Sequence, residues 1–148
     1  LILKIAMGSD HGGFTLKETL KSHLEENGHE VIDFGTDGPS SVDYPDYAEK
    51  VCKSVVSGET EKGILVCGTG IGMSIAANKI KGIRAALLSD VFSARATRQH
   101  NDANVMCLGE RVVGAGLALM IADEFLSSEF EGGRHSKRID KITKLEEN

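Results

Sequence analysis

Tryptophan is absent from this 148-residue chain, prolines number two and aromatic residues make up 5%. The core therefore has to come from aliphatic side chains. The three cysteines, Cys52, Cys67 and Cys107, are odd in number and widely spaced, with no Cys-x-x-Cys pair. That excludes a disulfide framework and a zinc ribbon. The longest apolar stretches, 83–88 and 117–122, fall far short of the roughly 20 residues of a membrane span. No secretory pattern opens the chain, so a cytoplasmic protein with no membrane partner is expected. Basic runs are missing too: 17 Lys and Arg stand against 22 Asp and Glu, a net charge of -5, which argues against a nucleic-acid partner. There is no internal repeat and no low-complexity tract, and one domain spanning 1–148 is expected. A chain of this length buries about 70% of its unfolded surface, enough for a core without staples.

What the sequence does contain is alternation. Short β-branched runs at 2–7, 30–34, 63–67, 83–88 and 105–108 read as strands. Between them lie helical patterns, the first with Leu16, Leu20 and Leu24 at a spacing of four and Gly28 as its stop. A second starts near Pro45 and carries Val51 and Val55 on one face, and further helices fit 72–80, 90–100 and 114–127. This order predicts a parallel five-stranded sheet covered on both faces, a Rossmann-like three-layer α/β/α domain. After Ser128 a polar segment, 129–136, leads to a C-terminal helical arm with Ile139, Ile142 and Leu145 along one side. Such an arm packs at home or on another subunit.

In open parallel sheets, ligands sit beyond the carboxyl ends of the strands. Here those ends read Gly8-Ser9-Asp10-His11-Gly12-Gly13, Cys67-Gly68-Thr69-Gly70-Ile71-Gly72 and Gly109-Glu110-Arg111. Closely spaced glycines entering a helix expose main-chain N–H groups, so the second of these resembles a cradle for a phosphate or an oxyanion. A dinucleotide fingerprint would need a third glycine where Met73 stands, although Asp90 lies at the distance of a ribose-binding carboxylate. Cys67, at the mouth of the cradle, is placed to serve as base or nucleophile, whereas Cys52 and Cys107 read as structural. His100-Asn101-Asp102 closes the fourth helix, where a histidine either caps the helix or moves protons. The spacings give no metal set. Arg134 and Arg138, four apart, form either a phosphate clamp or a solvated face paired with Glu129 and Glu131. Arg111 could join them. Tyr44 and Tyr47 wall a pocket or staple a helix start; spacing does not choose.

Together, the segments 8–13, 67–79, 100–104 and 109–111 resemble the RpiB/LacAB family of sugar-phosphate isomerases, on its ribose-5-phosphate isomerase B side. The match spans nearly the whole chain. The resemblance implies interconversion of ribose 5-phosphate and ribulose 5-phosphate through an enediolate, a step of the non-oxidative pentose phosphate pathway, with no metal or organic cofactor. Cys67 would be the base moving the proton between C1 and C2, with Thr69 assisting. The backbone of Gly68, Thr69, Gly70, Ile71 and Gly72 would hold the oxyanion. His100 would open the furanose ring, and Asp10 and Asn101 would bind the sugar. His11, Arg111, Arg134 and Arg138 would grip the phosphate. The resemblance also implies a homodimer or homotetramer with sites shared between subunits. In another branch of the family the base is a glutamate at the position of Met73; methionine accepts no proton, so this chain resembles the cysteine branch. Three other readings compete: isomerisation of allose 6-phosphate or galactose 6-phosphate, a non-catalytic phosphate or nucleotide sensor, and a redox cysteine protein, which lacks a resolving thiol.

Overall fold

The computed structural model describes residues 1–147. The elements alternate as expected: β1 (Lys4–Ser9), α1 (Phe14–Glu26), β2 (Glu30–Asp33), α2 (Tyr44–Val56), β3 (Lys62–Cys67), α3 (Ile71–Ala77), β4 (Ala85–Leu87), α4 (Val91–Asn101), β5 (Val105–Gly109), α5 (Ala115–Ser127) and α6 (Arg134–Lys144). All strands pair in parallel in the order β2-β1-β3-β5-β4. From β1 the chain steps outward to β2 and then returns to the other side at β3. The topological switch point, where such sheets open a crevice, therefore lies between the carboxyl ends of β1 and β3.

Strand side chains alternate between two aliphatic cores. Ile5, Met7, Ile64, Val66, Met106 and Leu108 face α1, α4 and α5, where Leu20, Ala94, Ile121 and Phe125 meet them. Ala6, Leu65, Cys67, Val105 and Cys107 face α2 and α3, against Val51, Cys52, Met73 and Ala77. Burial pushes the Cys52 thiol up to about 12 and lifts Cys107 well above its ordinary range. Both thiols are therefore inert fillers of the core.

Several boundaries differ from the sequence reading, each for a local reason. β1 begins at Lys4, where pairing with Glu30 starts, and Leu1 and Ile2 stay exposed. β4 shrinks to three residues because only 85–87 pair with β5, while Ile83 and Leu88 are buried outside the ladder. α3 begins one residue early, after Gly70 turns left-handed at φ +79°. In the arm, Gly132 and Gly133 both have positive φ, so the helix starts at Arg134 rather than after Ser136. Ile142 and Leu145 on this arm remain largely exposed. Asp90 is a helix cap, its carboxylate accepting from the Ser93 N–H at 2.6 Å, which accounts for a carboxylate at a ribose-like spacing.

One charge is buried outright. The Lys17 ammonium is fully enclosed and donates to both Asp33 oxygens at 2.8 and 2.7 Å. Burial acts to raise the Asp33 pKa. The Lys17 hydrogen bond, the Gly35 N–H and the charges of Lys17 and Lys21 outweigh it and hold the carboxyl below its usual range.

Candidate active site

The switch point is where the cysteine sits. Cys67 ends β3 on the face covered by α2 and α3, and only 5% of it is exposed. The following loop folds back over it, so that the Gly70 N–H donates to Sγ at 3.1 Å. A thiolate accepts such a bond more strongly than a thiol does. The loop can lie this close because a Cβ on Gly109 would stand 2.6 Å from Thr69 backbone atoms, and one on Gly70 would stand 2.6 Å from Leu87 and 2.8 Å from Leu108. The same loop is tied to β5 from outside: Glu110 N–H donates to the Cys67 carbonyl at 2.9 Å and Arg111 N–H to the Gly68 carbonyl at 3.0 Å. Thr69 Oγ1 accepts from the Ile71 N–H at 3.2 Å.

Beside it, the loop after β1 closes on itself through Asp10, whose Oδ1 accepts from Gly12 and Gly13 at 2.9 and 3.2 Å. A Cβ on Gly12 would come within 3.3 Å of Gly68 N, so the two loops abut. Arg111 lies along the other side of Gly68, its Cδ 3.7 Å from where a Cβ would be. His11 is exposed, with Nδ1 accepting from the Val42 N–H at 3.2 Å. Tyr44 covers Gly72, where a Cβ would meet its ring at 2.6 Å. Spacing had left its role open; the structure makes it a wall of the cradle. Tyr47 instead covers Gly35 and takes Lys50 over its ring. Met73, fully buried, points into the core.

The remaining candidates are elsewhere. α4 runs back from the carboxyl end of β4 to the amino end of β5, so His100 and Asn101 emerge at the opposite edge of the sheet. Asn104, just beyond them, accepts from the Gly63 N–H at the start of β3. Six-residue β3 separates the two edges by about 17 Å at roughly 3.3 Å per residue. Beside His100 stands the first turn of α6, with Arg134 and, one turn on, Arg138. Among the described residues neither arginine forms an ion pair. The expected carboxylate partner, Glu131, faces two imidazoles instead: its Oε1 lies 3.7 Å from His100 Nε2 and 3.6 Å from His135 Nε2.

The sequence reading takes His135 only as further positive charge beside Arg134 and Arg138; its place against His100 is not foreseen. Its ring stacks on that of His100, with centroids 4.4 Å apart and planes 16° from parallel. The ligand atoms of His100, Glu131 and His135 lie within 4.8 Å of one another. A metal, however, has to lie in the plane of each imidazole that binds it, and nearly parallel planes share no nearby point. The trio as built suits proton exchange better than ligation.

The switch point of an open α/β sheet, with a thiol under a main-chain N–H and a glycine cradle beside it, defines an enzyme of acid–base chemistry on a small anionic substrate. Residues 5–142 match the family described as Ribose/Galactose Isomerase, and the chain belongs to that family. It is 54% identical to ribose-5-phosphate isomerase B of Escherichia coli over 97% of each chain. A solved ribose-5-phosphate isomerase B from Clostridium thermocellum superposes with a TM-score of 0.96 at 56% identity, covering 97% of each chain. Another, from Mycoplasma genitalium with bound ribulose-5-phosphate, gives 0.93 at 44% identity, covering 98% of this chain and 97% of that one.

Proposed function

We infer that this protein is an aldose–ketose isomerase that interconverts ribose 5-phosphate and ribulose 5-phosphate. The observation that carries the reading is the Cys67 Sγ held under the Gly70 N–H inside the glycine loop. It joins a base to a set of main-chain donors at the place where substrates bind such sheets. In this reading Cys67 takes the proton from C2 of the open-chain aldose and returns it at C1. The charge that develops on the enediolate oxygen is met by N–H groups of the loop 68–72, which need no reorganisation during the step. Thr69 supports the loop, and Asp10, fixed by its own turn, accepts from sugar hydroxyls.

His100 moves the ring-opening proton, Asn101 contacts the sugar, and His11, Arg111, Arg134 and Arg138 hold the phosphate. The separation of the two edges supports sites shared between copies, since His100, Asn101 and the arm arginines stand too far from Cys67 in one chain. Exposed Ile71, Ile75, Leu87 and Phe92, the last 73% exposed, offer an apolar surface on which a second copy could dock. A homodimer is therefore part of the proposal, and a cytoplasmic location suits a charged sugar-phosphate substrate.

The test is conversion of ribose 5-phosphate in excess EDTA by the parent and by Cys67→Ala, with allose 6-phosphate and galactose 6-phosphate in parallel. We expect metal-independent turnover of the five-carbon sugar and a fall in kcat of about a thousandfold in the variant, as befits loss of a general base. Unchanged turnover in Cys67→Ala would remove the thiol from that role. Preference for a six-carbon sugar would move the substrate assignment.

A further inference from the structure

His100 is the one proposed catalytic group that the backbone does not hold; it is half-exposed at the end of a helix. Its surroundings are nonetheless ordered. The Glu131 N–H donates to the Gln99 carbonyl at 3.0 Å, pinning the loop after α5 to the last turn of α4. Two left-handed glycines, Gly132 and Gly133, then reverse the chain, and the His135 N–H closes that turn on the Gly132 carbonyl at 3.1 Å. The result places a carboxylate and a second, 92%-buried imidazole against one ring, since His135 is only 8% exposed.

Building on the ring-opening role of His100, we propose that Glu131 and His135 are positioning residues for it, with the His135 ring as a stacking platform that fixes its orientation and Glu131 as its counter-charge. Burial, the neighbouring His100 and the charges of Arg134 and Arg138 hold the His135 imidazole below its ordinary pKa, against the pull of Glu131. His135 is thus held neutral at neutral pH and serves as a ring surface, not as a proton carrier. The other carboxylate nearby, Asp102, is engaged by Arg98 at 2.8 Å and Arg84 at 3.4 Å, which leaves Glu131 as the counter-charge.

In ribose 5-phosphate the C1–O4 bond breaks with its electron pair going to O4, and O4 takes a proton from the His100 imidazolium. The anomeric hydroxyl loses its proton to the neutral imidazole as the C1 carbonyl forms. A ring free to rotate would miss one of the two oxygens. A misplacement of the order of 1 Å is enough to cost one to two decades in rate.

Direction of reaction separates this role from a structural one. Ribulose 5-phosphate has no furanose form, because the hydroxyl that would close it is esterified, so its conversion needs no ring opening. The experiment compares kcat for ribose 5-phosphate with kcat for ribulose 5-phosphate, and solvent-deuterium entry at C1 of the ketose, in the parent, His135→Ala, His135→Phe, Glu131→Gln and His100→Ala. In His135→Ala we expect kcat on the aldose to fall about tenfold, with ketose kcat and deuterium entry within about twofold of the parent. His135→Phe, which restores a flat ring, should recover most of the loss, and Glu131→Gln should fall between them. Parallel loss in both directions, or no loss on the aldose, would overturn the proposal. Full aldose turnover in His100→Ala would overturn the role on which it rests, and a parent inactive on both sugars would overturn the isomerase reading.

Discussion

The two edges of the sheet solve the same problem, holding reactive groups still, by different means. At the carboxyl edge the work is done by main chain: Gly70 N–H on Cys67 Sγ, Gly12 and Gly13 N–H on Asp10, and the ties from Glu110 and Arg111 to the loop carbonyls. Such groups have few rotamers to lose, and their geometry is set once the strands are in register. At the amino edge the work is done by side chains, with His100 stacked on His135 and both facing Glu131. An edge built of backbone suits stabilising a charge that must appear in one place. An edge built of side chains suits a proton carrier that has to address two oxygens in turn.

If the two edges are halves of one site completed by a second copy, defects in them should complement. Cys67→Ala and His100→Ala, each nearly inactive alone, should recover about a quarter of parental activity when dissociated together and reassociated. Half the dimers would then be mixed, and each mixed dimer would carry one intact site of two. Absence of recovery would show that each chain serves itself.

Asp33→Asn leaves the enclosed Lys17 ammonium with only the half-exposed Glu18 carboxylate, at 3.3 Å, as counter-charge, which should cost about 3 kcal/mol at pH 7 by urea unfolding. Because Asp33 titrates below its ordinary range when folded, its contribution is complete above the unfolded value of about 3.9 and fades as pH falls through the folded value. The gap between parent and variant should therefore narrow in acid. A gap independent of pH would mean that shape, not charge, was lost. The smallest expected effect is at the cradle itself: Gly70→Ala, with φ +79° and Leu87 and Leu108 in the way, should lose about 2 kcal/mol. It should also lower kcat, because the N–H on Cys67 would move.

Much of this was legible in the sequence, and the reasons are physical. Strand and helix periods differ, so the alternation of the chain announced the three layers, and glycines after strands marked the crevice. Cys67 could be told from Cys52 and Cys107 by its glycine neighbours, and the burial of the other two agrees. Side-chain meetings between distant elements were not legible. Nothing in the spacing of Lys17 and Asp33 says that one will be enclosed beside the other. His135 was hidden for a different reason: the Glu131–His135 spacing of four is a helical signal, but Gly132 and Gly133 interrupt it. Their left-handed turn, not a helix, makes the two residues neighbours. The early starts of α3 and α6 have the same origin, since glycine permits positive φ without declaring where it will be used.

The outermost strands are short, four residues in β2 and three in β4. An open sheet presents unpaired amides along both flanks, and a stray extended chain can add itself to a flank if it finds a long enough row. On β4 such a chain would gain only one or two hydrogen bonds before running into the turns at either end. Brevity at its margins thus guards this fold against growing, strand by strand, into an aggregate.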